Sequence, residues 1–335
     1  MSKKTIKDVA REAGVSTATI SRVINNSGYV SEEVRKHVLL TIERLNYYPN
    51  AIARSLKQEK TRSIGIVVPD LTNPYFMKVA KAIQDQCMTA GYHLLFMNTD
   101  EDSDKEKETL QILLEKRVDA IILAGTGGNE EQIKRIHDSG TSIILVDRRI
   151  GDLELDIVVE DNIYGAQAAI DYLIHQGHRR LGIINGPQII STGRERLQGV
   201  LSGLSQNHIE LLQDLVYQGN YSRESGKRAI YHFMQLTERP TAIFSANNEM
   251  TFGVYLGLQE MGIPLDELEV VSFGDLEFSS LFCHKLSVVT QNPEEIGQMV
   301  GNLVLRRLST GNSSVNEKCV FTPKIISKYK ASREG

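Results

Sequence analysis

Residues 5–25 read TIKDVAREAGVSTATISRVIN, and they predict two short helices joined by a tight turn. Thr5 followed by Asp8 is a helix N-cap pattern, and apolar residues then recur at helical spacing until Gly14 ends the first helix. Ser16 begins the second helix. A helix, a short turn containing Gly and another helix form the helix-turn-helix arrangement, in which the second helix enters the major groove of DNA.

A third helix is predicted to begin at Ser31 and to complete a small apolar core. Helical spacing places apolar side chains of the second and third helices on inner faces. The same pattern is also that of a three-helix interaction module, so the helices alone leave DNA binding open. The inner residues are Ile20, Val23 and Ile24 in the second helix and Val34, Val38, Leu39, Ile42 and Leu45 in the third.

The outward side of the second helix carries side chains suited to nucleic acid. Arg22 is suited to bidentate pairing with a guanine edge. Hydroxyl and amide side chains around it suit hydrogen bonds to phosphates or bases. The DNA-contacting residues predicted here are Ser16, Thr17, Ala18, Ser21, Arg22 and Asn25.

The charge of the chain is unevenly distributed. Residues 1–60 contain eleven Lys and Arg against six Asp and Glu, whereas the rest of the chain contains 27 against 36. A basic N-terminal segment on an acidic chain favours a polyanionic partner, with a chance excess on a solvated surface as the alternative.

Residues 47–65 read YYPNAIARSLKQEKTRSIG and predict a helix of about two turns. Pro49 and Asn50 mark its start, and a helix this short is not stable alone in water. Leu56, between Arg54 and Lys57, suits entry into the minor groove as an apolar wedge. Asn50, Arg54 and Lys57 are predicted to contact DNA beside it. An ordinary linker is the alternative.

From residue 63 onward, short apolar runs alternate with segments of helical periodicity. Near-continuous Ile, Val and Leu runs are typical of parallel strands that are covered on both faces. The fold class predicted for this part is α/β, with two doubly wound lobes following the all-α N-terminal domain. The runs lie at 63–69, 93–99, 120–125 and 142–147, and again at 181–186, 214–220, 241–247 and 268–275.

Polar and aromatic residues recur where these strands end. Ligands of doubly wound sheets bind outside the carboxyl ends of the strands, and a polyhydroxylated ligand requires paired donors and acceptors together with aromatic faces. Taken singly, each residue also has an ordinary explanation as a helix cap, a core residue or a turn. The predicted effector-binding residues are Asn73, Tyr75, Phe76, Asp147, Arg148, Thr192, Arg196, Tyr221, Asn247, Asp275 and Gln291.

Residues 5–25, together with YYPNAIARSLK at 47–57, resemble the DNA-binding headpiece and hinge helix of the LacI/GalR family of bacterial transcriptional regulators. The remainder resembles the periplasmic-binding-protein-like effector domain of that family, in its ribose-type branch, through DLTNPYF, VDRR, TGRERLQG, GNYSRESG, SANNEM, SFGD and VVTQNP. The resemblance implies recognition-helix roles for Thr17, Ala18 and Arg22, and a minor-groove wedge at Leu56 with Ala53 beside it. It also implies that the polar residues above bind a sugar, stacked between Tyr75, Phe76 and Tyr221.

The sequence departs from the family pattern in a few places. Ala18 stands where the family often has a polar reader, so at most a thymine methyl is read there. Asn248 stands where the family usually has Asp, and Ile190 where purine-sensing relatives have Arg, which disfavours a purine effector. Arg149 adds charge that would favour a sugar acid or sugar phosphate, with a solvated rim residue as the alternative.

Several classes of protein are disfavoured by what the sequence lacks. It has no phosphate-binding loop, no nucleophile elbow and no metal-ligand spacing, so we expect neither an enzyme, nor a cofactor, nor a metal site. Cys87, Cys283 and Cys319 are too few and too distant for a disulfide framework. Without an export signal or a membrane-spanning run, we expect a cytoplasmic protein rather than a periplasmic sugar receptor.

We therefore expect a headpiece over residues 1–48, a hinge helix and linker over 49–62, and a two-lobed effector-binding and dimerisation domain over 63–335. The lobes are expected at 63–161 with 292–321, and at 162–291 with 322–330. The expected protein is a homodimeric repressor of a pseudopalindromic DNA operator, controlled allosterically by a small sugar. A regulator that responds to a purine or to a partner protein as co-repressor is the alternative. A C-terminal coiled-coil tetramer is not expected, because no leucine heptad follows the last strand.

Overall fold

The computed structural model describes residues 4–47, 60–277, 286–311 and 315–327. The chain forms two compact units, one ending at Thr61 and the other beginning at Arg62. Over the described residues the first unit contains helices and no strand, and the second contains the twelve described strands.

Three helices make up the first unit: α1 (Ile6–Glu12), α2 (Thr17–Ile24) and α3 (Glu32–Arg44). Thr5 and Asp8 form a reciprocal capping box at the start of α1, as their spacing predicts. The side chains of Ser16 and Ser31 accept backbone N–H groups at the starts of α2 and α3. Between α1 and α2 the chain turns at Gly14, whose φ of +66° favours glycine.

Side chains from all three helices fill the core of this unit. Leu39 departs from the prediction, because its side chain is 49% exposed. Val38 already faces the core, and the next residue of a helix is rotated by about 100° away from it. The buried core residues are Val9, Ala10, Ala13, Ile20, Val23 and Val38, with Ile24, Val34, Ile42 and Leu45 packed against them.

The first lobe of the second unit contains a six-stranded, fully parallel sheet. Its strands are β1 (Ser63–Val68), β2 (His93–Asn98), β3 (Ala120–Leu123), β4 (Ser142–Val146), β5 (Asp156–Glu160) and, from late in the chain, β11 (Lys318–Phe321). They lie in the order β2-β1-β3-β4-β5-β11. The helices packed on this sheet are α4 (Pro74–Thr89), α5 (Ser103–Glu115), α6 (Glu130–Asp138) and α11 (Pro293–Thr310).

The second lobe repeats this plan. Its strands are β6 (Leu181–Asn185), β7 (Val216–Gln218), β8 (Ala242–Ser245), β9 (Glu269–Phe273), β10 (Leu286–Val289) and β12 (Ile325–Ser327). They lie in the order β7-β6-β8-β9-β10-β12, and only the β10–β12 pair is antiparallel among the described strands. The helices are α7 (Asn162–His175), α8 (Ser191–Gln206), α9 (Arg223–Gln235) and α10 (Asn248–Glu260).

Both sheets have a topological switch point, where the strand order reverses. In the first lobe β1 lies between β2 and β3, and in the second lobe β6 lies between β7 and β8. Connections leave such a strand in opposite directions, which opens a crevice at its carboxyl end. The predicted α/β fold class with two doubly wound lobes is confirmed.

The eight apolar runs of the sequence correspond to β1–β4 and β6–β9. The prediction did not name β5, β10, β11 or β12. The chain passes between the lobes after β5, after β10 and between β11 and β12. None of the described helices has the length and apolar character needed to cross a membrane.

Candidate functional site

The outer surface of α2 is the first candidate site. Ile20 and Val23 face the core, so helical periodicity turns the predicted DNA-contacting side chains outward. The side chains of Ser16, Thr17, Ala18, Arg22 and Asn25 are exposed, and Ser21 is half-buried.

Three of these side chains already make hydrogen bonds at or within the helix. Ser16 Oγ accepts the backbone N–H of Thr19 at 3.1 Å, and Asn25 Nδ2 donates to Ser21 Oγ at 3.2 Å. Among the described residues, no carboxylate forms an ion pair with Arg22. The aliphatic part of its side chain lies beside Gly28, where a Cβ built on the glycine would be 3.6 Å from Arg22 Cδ. This arrangement leaves the Arg22 guanidinium at the surface.

Tyr29 is a further candidate DNA contact, which was not predicted from the sequence. Its side chain is 91% exposed, directly after Gly28. A large aromatic residue in the polar segment NNSGYVS, without a place in the helical core pattern, is the signal that would have indicated it. The remaining predicted DNA contacts, Asn50, Ala53, Arg54, Leu56 and Lys57, lie outside the described residues.

A cleft of about 580 Å³ at the strand ends of the second unit is the second candidate site. It receives side chains from both lobes, at the carboxyl ends expected for a doubly wound fold. Ten of the eleven predicted effector-binding residues line it: Asn73, Tyr75, Phe76, Asp147, Arg148, Thr192, Arg196, Tyr221, Asn247 and Gln291.

Asp275 is the predicted residue that the structure does not bring to the cleft. Its side chain is exposed, and Asp275 is not among the residues that line the cleft. Gly274, which precedes it, has a φ of +91° and turns the chain immediately after β9. A Cβ at Gly274 would lie 2.6 Å from Oε1 of Gln291, which does line the cleft.

Arg148 is held in place by a carboxylate that the sequence analysis did not name. Its guanidinium donates to both carboxylate oxygens of Glu101, at 2.7 and 2.6 Å, and to the Gly125 carbonyl at 3.2 Å. It also lies 5.9 Å from the ring centroid of Phe76 and 5.7 Å from that of Tyr221. Burial lowers the pKa of Arg148, but the carboxylates of Glu101 and Asp147 together outweigh this effect and raise the pKa overall.

Arg196 lies on α8, and its side chain is oriented by other residues of the second lobe. Its Nε donates to Asn162 Oδ1 at 2.9 Å, its Nη1 donates to the Ala246 carbonyl at 2.5 Å, and its guanidinium carbon lies 3.7 Å from the ring centroid of Phe273. Stacking and hydrogen bonding together fix the direction of this charge.

Asp147 provides a buried carboxylate at the end of β4. Its side chain lies 3.4 Å from Arg148 Nε. The hydroxyl of Tyr75 is buried near this carboxylate; burial raises the pKa of Tyr75 well above its ordinary value, and the charge of Asp147 raises it further. Ligand hydroxyl groups are natural donors to such a carboxylate.

Glu160 is a second buried carboxylate, at the end of β5 where the chain crosses to the second lobe. Burial raises the pKa of Glu160 to about 7, while the hydrogen bond from Gln291 counteracts part of that shift and the charge of Asp147 adds to it. Gln291 Nε2 donates to Glu160 Oε2 at 2.8 Å, and the backbone N–H of Asn292 donates to Oε1 at 3.1 Å. Glu160 therefore connects the two lobes next to the cleft.

Aromatic rings form two walls of the cleft. Tyr75 and Phe76 contact each other edge to face, with centroids 5.1 Å apart, at the start of α4. Tyr221 belongs to the second lobe, and its hydroxyl shares a 2.9 Å hydrogen bond with Thr192 Oγ1. Such faces suit the C–H side of a sugar ring.

Four of the lining residues have a left-handed backbone conformation. Asp100, Glu101, Asp147 and Tyr221 have φ values of 54°, 58°, 66° and 66°. This conformation costs about 1–3 kcal/mol for a residue other than glycine, and it is retained where a functional geometry requires it. These four strained residues therefore lie at the cleft, which is the site predicted from the ends of the strands.

Several lining residues were not predicted. Asp100 and Glu101 lie within three residues of the end of β2, so the strand-end rule would have found them, and Asn248 lies equally near the end of β8. Arg149, considered as an extra charge for a sugar acid, is not a lining residue: its Nε pairs with Glu195 Oε1 at 3.0 Å. The other unpredicted lining residues include Thr72, Thr126, Ile189, Ile190, Asn220 and Ser222.

Across the described ranges, no group of three His, Cys, Asp or Glu side chains is placed to hold a metal ion.

Two family models match the chain. The model described as bacterial regulatory proteins, lacI family, matches residues 5–50. The model described as periplasmic binding proteins and sugar binding domain of LacI family matches residues 61–326. Together they cover both units.

Curated relatives match over nearly the full length. The HTH-type transcriptional repressor PurR of Proteus mirabilis (strain HI4320) is 35% identical over 309 residues, covering 91% of this chain and 90% of the relative. The ribose operon repressor of Haemophilus influenzae is 31% identical over 329 residues, covering 96% and 99%.

Solved structures share the fold. The Lac repressor bound to ONPG in the repressed state matches with a TM-score of 0.84 at 23% identity, covering 98% of this chain and 100% of that one. A putative ribose operon repressor from Burkholderia thailandensis matches with a TM-score of 0.71 at 26% identity, covering 79% and 99%.

Proposed function

The chain belongs to the LacI family of bacterial regulatory proteins and is a DNA-binding transcriptional repressor; from this premise we propose that its cleft binds a small sugar whose occupancy changes the affinity for a DNA operator. The observation that carries the proposal is the convergence of strand-end polar groups and aromatic faces on one cleft. The sugar is an effector that is bound and released unchanged, so we assign the chain no catalytic step and no cofactor.

A sugar ring fits the chemistry of this cleft. Asp147 accepts hydrogen bonds from hydroxyl groups, and Arg196 donates to hydroxyl or ring oxygens. Phe76 and Tyr221 offer faces to the apolar side of the ring. Asn73, Tyr75, Arg148, Thr192, Asn247 and Gln291 complete the proposed effector-binding set, and Asp275 is left outside it because of its exposed position.

On the DNA side, we propose that α2 enters the major groove. Arg22 is the base-reading residue of this helix, and the exposed hydroxyl and amide side chains around it fix its position on the phosphates. Helix-turn-helix proteins read half-sites in two-fold pairs, so the proposed species is a homodimer on a pseudopalindromic operator. A protein that reads an operator acts where the chromosome is, which places it in the bacterial cytoplasm.

The two sites are coupled if the sugar binds more tightly to one arrangement of the lobes than to another. By linkage, operator and sugar then change each other's affinity by the same factor, commonly about 5–150-fold. Whether the sugar weakens or strengthens operator binding depends on which arrangement it favours.

A thermal-unfolding screen tests the effector class. The ligand that binds the folded state raises the unfolding temperature by an amount that grows with the ratio of its concentration to its Kd. Pentoses and hexoses are compared with purine bases at equal concentration. We expect stabilisation by at least one sugar; stabilisation by a purine base alone would contradict a sugar effector.

A second experiment tests the coupling. Operator duplexes are selected from a random library with the full chain, and their affinity is measured by fluorescence anisotropy with and without the stabilising sugar. We expect a change in operator affinity at constant ionic strength, since salt alone shifts protein–DNA affinity strongly. Equal affinity in both conditions would contradict control by the sugar.

A further inference from the structure

We propose that Glu101 is a specificity-determining residue, which restricts the cleft to effectors without a carboxylate or phosphate group by occupying the guanidinium of Arg148. This inference rests on the proposed binding of a sugar-like effector in the cleft, and it adds the charge class of that effector.

The contact between Glu101 and Arg148 is direct and bidentate. Both Nη atoms of Arg148 donate to the Glu101 carboxylate, at 2.7 and 2.6 Å. The Arg148 side chain is 4% exposed and that of Glu101 is 23% exposed. Two parallel hydrogen bonds in a partly dry site are the same geometry with which an arginine would hold a carboxylate or phosphate of a ligand. Glu101 therefore takes the position that an anionic effector would need.

The backbone supports this placement. Glu101 has a φ of 58° and is neither glycine nor an asparagine-like residue that adopts this conformation readily. The left-handed turn after β2 directs the chain into α5, and Glu101 reaches across to the end of β4. Strained residues other than glycine cluster at ligand sites, and Glu101 is one of four such residues that line this cleft.

The charge balance of the cleft also disfavours an anion. The charged side chains among the described lining residues are the carboxylates Asp70, Asp100, Glu101 and Asp147 and the guanidinium groups Arg148 and Arg196. Arg148 faces two of these carboxylates, since Asp147 Oδ2 lies 3.4 Å from its Nε. Arg196 is oriented by Asn162 and by the Ala246 carbonyl, and it remains the cation that is not paired with a carboxylate by the contacts described above.

A neighbouring arginine does not change this balance. Arg149 pairs with Glu195 at 3.0 Å, and the Glu195 carboxylate also accepts from Asn162, so it bridges the two residues. The cleft therefore contains more negative than positive charge. To bind Arg148, an incoming phosphate or carboxylate would have to lose its hydration and displace Glu101, leaving that partly buried carboxylate without its partner.

Matched ligand sets test the proposal by isothermal titration calorimetry on the full chain. Each set contains an aldose, its aldonic acid and its phosphate ester, for ribose, glucose and galactose. For the scaffold that binds, we expect the neutral member to bind at least about 10-fold more tightly than either charged member. Tighter binding of an acid or a phosphate ester would overturn the inference and leave the proposed sugar-like effector standing. No binding by any member would overturn the proposed effector and this inference with it.

A variant pair assigns the selectivity to Glu101. Glu101→Gln removes the carboxylate at nearly the same size, and Glu108→Gln makes the same charge change at an exposed position on α5. We expect Glu101→Gln to reduce the neutral-to-anionic affinity ratio by about 10-fold or more, because Arg148 becomes available to the anion. Glu108→Gln keeps the wild-type ratio. An unchanged ratio in folded Glu101→Gln would overturn the role of Glu101, and if that variant does not fold, the wild-type ratio still decides the charge class.

Discussion

Asn73 and Asn248 exchange two hydrogen bonds through their side-chain amides. Asn73 Nδ2 donates to Asn248 Oδ1 at 3.1 Å, and Asn248 Nδ2 donates to Asn73 Oδ1 at 2.9 Å. Asn73 caps α4 in the first lobe, and Asn248 begins α10 in the second. Both side chains are buried and both line the cleft. This reciprocal pair therefore joins the lobes at the site where the effector is proposed to bind.

The pair predicts a specific effect of Asn248→Asp, which introduces the residue that the family usually has. The new carboxylate would still accept from Asn73 Nδ2, but it would place an oxygen against Asn73 Oδ1, which would keep only the Tyr75 N–H as its donor. We expect the arrangement with joined lobes to lose about 1–3 kcal/mol, so that the effector binds more weakly by calorimetry. Gln298→Glu, an amide-to-carboxylate change at an exposed position on α11, serves as the control. Equal effector affinity in both variants would contradict the role of the pair.

Arg22→Ala tests the reading of bases by α2. Arg22 is exposed on the outer face, and a bidentate arginine–guanine contact contributes about 1–3 kcal/mol of discrimination. We expect the ratio of affinities for the selected operator and for a scrambled duplex to fall by about 10-fold or more in fluorescence anisotropy. Lys36→Ala removes the same charge from an exposed position on α3 and is expected to preserve the ratio. A preserved ratio in Arg22→Ala would remove Arg22 from the set of base readers.

Much of the fold follows from local sequence rules. The caps at Thr5, Ser16 and Ser31 are local hydrogen bonds between a side chain and the backbone a few residues on, so the sequence contains all the information they need. The same holds for long apolar runs such as β1 and β4, which are buried on both faces. Strands β11 and β12 are shorter and partly exposed, and their positions at the edges of two different sheets depend on contacts distant in sequence.

The cleft illustrates the limit of the strand-end rule. The rule finds Asp147 and Arg148 because both directly follow β4, but it does not identify Glu101 as the partner of Arg148, 47 residues earlier. It also cannot distinguish Asp275 from Gly274, because the direction of a side chain depends on the φ of +91° at Gly274. The reciprocal pairing of Asn73 with Asn248 spans 175 residues and requires the arrangement of both lobes.

The variants Arg196→Ala and Asp275→Ala test the difference between the two descriptions of the cleft. The sequence predicts that both residues bind the effector, whereas the structure places only Arg196 at the cleft. Arg196 lines the cleft and is fixed by Asn162 and the Ala246 carbonyl, whereas Asp275 is exposed. We expect Arg196→Ala to abolish the thermal stabilisation by the effector while operator binding remains measurable. Asp275→Ala is expected to keep a stabilisation of wild-type size. The reverse result would mean that Asp275, and not Arg196, contacts the effector.

The raised pKa of Glu160 predicts how the free energy of unfolding of the second unit depends on pH. Burial raises the pKa of Glu160 to about 7 in the folded state, above the ordinary value of 4.5. Between these two values the folded protein holds a proton that the unfolded chain releases, so the free energy of unfolding falls as the pH rises from about 4.5 to 7.

Across that range the loss from this group is about 3 kcal/mol, because each pKa unit corresponds to about 1.4 kcal/mol. Glu160→Gln keeps one of the two oxygen acceptors, which serve Gln291 and the Asn292 N–H, and does not titrate, so the variant should gain stability relative to the wild type as the pH approaches 7. Urea unfolding at pH 5 and pH 7.5 measures the difference, with Glu154→Gln as the control at an exposed position. If the wild type and Glu160→Gln show the same pH dependence, Glu160 is ionised in the folded protein throughout this range, and its burial between the lobes does not raise its pKa.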